Sequence, residues 1–184
     1  MQPYHVFSLG SNDPLAAKIA EELGTPLGKI ERRNFSDGEF AVKFEENLRR
    51  KHVFLVQSTN QPDHNLMRLM ISIDAARRAS ADEITAVIPY YGYARQDRKP
   101  GPRQPITASM IARLLESIGV DRLITMDLHV NQIEGFFYKP VDNLYARIAL
   151  APHLRNALAE PIARDNLVVI APDVGAVGRA QSYS

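Results

Sequence analysis

Short apolar runs alternate with stretches of helical period along most of the chain, and this alternation constrains the fold more than any single motif. Residues 5–9, 52–57, 83–89, 122–126 and 167–171 are each short, rich in Val, Ile, Leu or Phe, and bounded by turn-forming residues. Runs this compact read as buried strands, because helices need ten or more residues. Between them the period changes. Leu15, Ile19 and Leu23 share one helical face, with Asp13 placed as the N-cap, Pro14 in the first turn and Gly24 as the stop. Leu66, Leu69, Met70 and Ile73 form a second stripe over 62–79, closed by Arg77 and Arg78 as the helix dipole prefers. A third helix is expected over 107–118 and a fourth over 144–158, interrupted or displaced near Pro152. Residues 29–34 and 40–44 read as two strands around Phe35-Ser36-Asp37-Gly38-Glu39. This β-α-β-α order predicts an α/β fold, a parallel sheet flanked by helices.

Composition narrows the function classes. A length of 184 residues suggests one domain and a remainder. Lys and Arg total 22 against 21 Asp and Glu, a balance that argues against a general nucleic-acid coat but not against a local basic patch. The absence of Cys excludes disulfides, thiolate catalysis and Cys-based metal sites, and suits a reducing, cytoplasmic setting. The opening Met1-Gln2-Pro3-Tyr4-His5 carries no basic, apolar signal pattern. No run approaches the roughly 18 apolar residues of a membrane helix, so no membrane partner is expected.

In an open parallel sheet, ligands bind at the carboxyl ends of the strands. After 83–89 comes Tyr90-Tyr91-Gly92-Tyr93-Ala94-Arg95-Gln96-Asp97-Arg98-Lys99, with Arg103 just beyond. Guanidinium forks match phosphate oxygens and an aromatic face can stack a base; the same stretch also reads as an ordinary solvated loop. Asp127 and His129 follow 122–126 and, two apart in extended backbone, point the same way. They suit a divalent cation held with phosphates, or acid-base work, or equally a turn cap beside a packed imidazole. Asp173 follows 167–171, where a lone Asp is more often a helix cap. Neither Gly-x-x-x-x-Gly-Lys-Ser/Thr nor Gly-x-Gly-x-x-Gly occurs, so the chain is neither a P-loop protein nor a dinucleotide-binding Rossmann protein by motif.

Several of these segments resemble one family. Phe35-Ser36-Asp37-Gly38-Glu39, the run from Ile88 to Lys99, Asp127-Leu128-His129 through Gln132 to Phe137, and Pro140-Val141-Asp142-Asn143-Leu144 are similar to ribose-phosphate pyrophosphokinases. The resemblance implies phosphoribosyltransferase-like α/β domains, with one over 1–144 and the start of a truncated second over 145–184. It implies transfer of the diphosphate of Mg-ATP to ribose 5-phosphate, with AMP released. Phe35, Asp37 and Glu39 match positions that hold the base and ribose of ATP in a neighbouring subunit, and Arg95 and Gln96 match ATP contacts. His129 and Asp173 match Mg²⁺-linked positions, and Asp127 and Asp142 fall in an acidic signature associated with divalent metal. The family's assembly implies a homo-oligomer, a hexamer in the family.

There are departures. Val130 and Glu134 stand where the family has a small or polar residue and Gln, and Ala176 and Gly178 alter a Gly-Gly pattern. The family's basic catalytic loop and acidic ribose 5-phosphate loop have no counterpart up to Ser184, so no catalytic residue is assigned and this chain alone is expected to be inactive. Two rival readings stand beside this one. One is a non-catalytic regulatory subunit of such synthetases. The other is a nucleic-acid-binding module using Tyr91, Tyr93, Arg95, Arg98, Lys99 and Arg103, which the acidic loops oppose.

Overall fold

The computed structural model describes residues 4–183; residues 1–3 of the opening stretch and residue 184 lie outside them. The chain divides into two units, Met1–Leu144 and Tyr145–Ser184. The first contains strands β1 (Tyr4–Ser8), β2 (Ile30–Asn34), β3 (Phe40–Phe44), β4 (His52–Val56), β5 (Glu83–Ile88), β6 (Arg122–Met126) and β7 (Val141–Leu144). Its helices are α1 (Asp13–Glu22), α2 (His64–Arg78) and α3 (Thr107–Ile118).

Five strands form one parallel sheet in the order β1-β4-β5-β6-β7, while β2 and β3 pair antiparallel as a separate hairpin. Alternate side chains of a strand face opposite sides of the sheet. Val6 and Val56 accordingly pack with Ala16 and Ala20 of α1. Phe7, Leu55, Ile84, Ala86, Ile88 and Leu123 belong to the larger core with Leu69 and Ile73 of α2 and Ile111 and Leu115 of α3. Each fully buried Leu, Ile or Phe here contributes about 1.5–3 kcal/mol. The parallel α/β fold is the one the alternation predicts.

Local differences have local causes. Asn12, not Asp13, caps α1: its Oδ1 accepts from the Leu15 N–H at 3.1 Å. Asp13 instead pairs with Arg32 at 3.0 Å and accepts from the Ser8 hydroxyl. The buried face of α1 is Ala16 and Ala20 rather than Leu15 and Leu23, because small side chains let the helix approach the sheet. The fourth helix does not begin at 144. Residues 141–144 form β7, held by its ladder to β6 and by the 2.7 Å Arg122–Asp142 ion pair.

In the second unit α4 (Arg147–Ala157) runs through Pro152, followed by α5 (Ala159–Ala163) and α6 (Val177–Gln181). The strand expected over 167–171 is not formed. Val168 and Ile170 are exposed, and among the described residues no neighbour supplies a ladder. Among the described residues no helix is long and apolar enough to cross a membrane.

Arg77 ties the ends of two helices together. Its Nε and Nη2 donate to the Gly119 carbonyl at 2.9 and 2.6 Å, its Nη1 reaches the Ala81 and Asp82 carbonyls, and it pairs with Asp121. Gly119 is the C-cap of α3, where helix carbonyls lack intrahelical partners, and Ala81 and Asp82 lie in the connection from α2 to β5. Arg77→Met should therefore cost about 1–3 kcal/mol, read as a lower urea midpoint with an unchanged denaturant slope.

Candidate functional site

The carboxyl edge of the parallel sheet is built on a buried polar network. Gln57, fully buried just past β4, accepts from the Ser11 N–H at 3.1 Å and donates to the Asn65 carbonyl and side chain at 3.2 and 3.3 Å. It thus joins the loops after β1 and β4 to the start of α2. Thr59 extends the network to β5: its N–H donates to the Tyr90 carbonyl, and its hydroxyl accepts from the Gly92 N–H at 2.8 Å. Gly92 passes so close that a Cβ there would lie 2.1 Å from the Thr59 carbonyl oxygen.

This anchoring fixes the basic loop. Tyr91 is not a free aromatic face. It is buried, donates to the Ala108 carbonyl at 3.0 Å and meets Phe137 edge-on. Burial, aided by the Glu116 charge, pushes its phenol well above the usual range. Tyr93 has left-handed backbone (φ 61°) and donates its hydroxyl to Asp63, whose carboxyl is held below its usual value by that bond and one from Gln61. Such backbone persists where surrounding contacts over-determine it. Arg95 follows, exposed, with no hydrogen-bond or ion-pair partner among the described residues. Gln96 accepts from the Thr107 hydroxyl, and its carbonyl accepts from the Ala108 N–H at 3.2 Å, joining the loop to α3.

After β6, Asp127 and His129 are exposed on either side of buried Leu128, but Asp127 has left-handed backbone (φ 45°) and not the extended backbone that the spacing argument assumes. The Asp127 N–H donates to the Leu144 carbonyl at 2.9 Å, and the Leu128 N–H to Asn143 Oδ1 at 3.2 Å. β7 therefore shapes this loop. Asp142 points to Arg122 instead, and Asp173, in the second unit, accepts from the Ala176 N–H at 2.9 Å as a local cap. Among the described residues no three His, Asp or Glu side chains form a metal cage.

Phe35, Asp37 and Glu39 lie on the exposed β2–β3 turn. Gly38 takes φ 92°, the Phe35 N–H donates to the Glu39 carbonyl at 2.9 Å, and Asp37 Oδ1 accepts from the Glu39 N–H at 3.0 Å. Arg33 lies over the Phe35 ring at 4.8 Å. The tight turn leaves all three residues exposed, with Arg33 over one face of Phe35 and Asp37 bonded back to the turn. Sequence reasoning missed Gln57, Thr59 and Asn143, the residues that hold the loops. Gln57 was legible only as a polar residue closing an otherwise apolar run.

A family profile for the N-terminal domain of ribose phosphate pyrophosphokinase matches residues 4–119. A ribose-phosphate pyrophosphokinase of Chlorobaculum tepidum is 53% identical over 182 residues, 99% of this chain and 55% of that protein. One of Porphyromonas gingivalis is 53% identical over 181 residues, 98% of this chain and 56% of that protein. The chain thus spans about half the length of the curated relatives it matches. The crystal structure of phosphoribosylpyrophosphate synthetase from Mycobacterium smegmatis superposes with a TM-score of 0.91 at 38% identity, covering 99% of this chain and 60% of that one.

Two outcomes test the anchoring. Gly92→Ala should destabilise by about 1–3 kcal/mol, since backbone must move to admit the methyl group; urea unfolding measures it. The folded Tyr91 phenol keeps its proton to higher pH than the unfolded one, so its contribution is complete below about pH 10 and is lost as pH rises beyond. Unfolding free energy should fall above that pH by up to about 1.4 kcal/mol per unit from this group, and Tyr91→Phe should remove that part of the slope.

Proposed function

Because this chain belongs to the ribose-phosphate pyrophosphokinase family, we propose that it carries the ATP-holding part of an enzyme that moves the diphosphate of Mg-ATP to ribose 5-phosphate. The products are phosphoribosyl pyrophosphate and AMP. The observation that carries this reading is the loop after β5. It is anchored by Gly92, Tyr91 and Tyr93, and it presents Arg95 unpaired at the carboxyl edge of the sheet.

Diphosphoryl transfer requires charge neutralised on the phosphate oxygens and reactants held in line, with no covalent protein intermediate. Arg95 supplies a fork for phosphate, and Gln96 sits beside it. His129 and Asp127 would hold the Mg²⁺ that enters with the nucleotide, its phosphates completing the ligand set; bound there, it neutralises phosphate charge. Phe35 offers a stacking face, and Asp37 and Glu39 offer acceptors for ribose hydroxyls or base amines. Their exposure on the turn supports their use by a neighbouring copy, hence a homo-oligomer. Asp142 and Asp173 are engaged by Arg122 and the Ala176 N–H; metal contact by either would require those bonds to exchange. Burial of Tyr91 removes a stacking face from the nucleic-acid reading.

Titration calorimetry with Mg-ATP tests the proposal. The chain should bind, and Arg95→Met should weaken binding at least about tenfold, or 1.4 kcal/mol, with an unchanged urea midpoint. His129→Ala should weaken Mg-ATP more than metal-free ATP. Given ribose 5-phosphate as well, the 184-residue chain alone should release no AMP above background. Equal affinity of the native protein and Arg95→Met would refute the reading.

A further inference from the structure

The β2–β3 hairpin shares no ladder with the parallel sheet, so side chains must set the direction in which its turn points. Most of its anchors lie away from the turn. Phe44 meets Phe7 edge-on with ring centroids 4.8 Å apart, Glu46 lies 2.6 Å from His5 of β1, and Arg32 in mid-strand pairs with Asp13. Nearest the turn is Arg68, reaching out from α2. Its guanidinium lies over the Phe40 ring, 4.9 Å from the centroid, and its Nη2 donates to Asn34 Oδ1 at 3.0 Å. Asn34 and Phe40 face each other in the ladder as the last pair before the turn. One planar group therefore grips both strands directly beneath Phe35, Asp37 and Glu39. Gly10 leaves room for Arg32 instead: a Cβ there would lie 2.7 Å from Arg32 Nη1 but at an ordinary contact distance of 3.5 Å from Arg68 Nη1.

This grip carries a cost. Arg68 Nε is buried without a hydrogen-bond partner, and an unpaired buried donor destabilises a fold. A Met at 68 would keep apolar contact with Phe40 and remove the orphaned N–H. We infer that Arg68 is a positioning residue for nucleotide binding, holding the β2–β3 turn at the angle from which Phe35 and its neighbours reach ATP. The inference rests on the reading that this turn holds ATP.

The test is Mg-ATP titration of the native chain, Arg68→Met, Phe35→Ala and the double variant, with thermal unfolding of each. Residues that act through one another give non-additive effects. Arg68→Met should weaken ATP about fivefold or more without lowering the melting temperature. The double variant should bind no more weakly than Phe35→Ala alone, and Arg68→Lys should recover part of the loss. If Phe35→Ala weakens binding but Arg68→Met binds like the native chain, the inference fails and the ATP reading stands. Independent, multiplying losses in the double variant, or a fall in melting temperature that accounts for the lost affinity, would also overturn it. Native affinity in Phe35→Ala would overturn both the turn's assignment and the inference built on it.

Discussion

The site depends on one buried amide. A parallel sheet ends in backbone groups that no further ladder residue can satisfy, and its connections must leave from that edge. Gln57 meets this need between β1 and β4. Fully buried, it bonds the Ser11 N–H on one side and Asn65 on the other. Thr59 repeats the device between β4 and β5 through Tyr90 and Gly92. Leaving such partners unmet costs about 1–3 kcal/mol each, so these loops keep a defined course. The backbone that carries Arg95 is thereby held in place, while its guanidinium stays exposed.

The electrostatics follow the same division of labour. Arg77 and Arg122 are used in structure, the first on helix-end carbonyls and Asp121, the second on Asp142. Arg32 is paired with Asp13, whose carboxyl is lowered chiefly by that guanidinium and then by the Ser8 hydroxyl. Arg33 and Arg68 lie on aromatic rings at the hairpin. A net charge of +1 thus conceals a chain whose Arg95, Arg98 and Arg103 face solvent at the basic loop, while many other guanidinium groups are committed internally.

The parallel sheet, α2 and α3 and the hairpin were legible because periodicity and turn chemistry are local properties. The side on which Asp127 and His129 lie was not legible: alternation holds for extended backbone, and Asp127 takes a left-handed φ of 45°. What the chain alone determined is therefore most element types up to β6, the loops that carry cations and acids, and the family. Tertiary structure decided the rest, for reasons of partnership. Tyr91 and Tyr93 look alike in sequence, yet one is buried against Phe137 and the other is held by Asp63. Residues 141–144 became a strand because β6 offered an edge, and 167–171 did not because no ladder reached them. Asp142 found Arg122, and Asp173 found the Ala176 N–H. A residue type states which bonds a side chain can make, but only the packed structure determines which of them a neighbour has already taken.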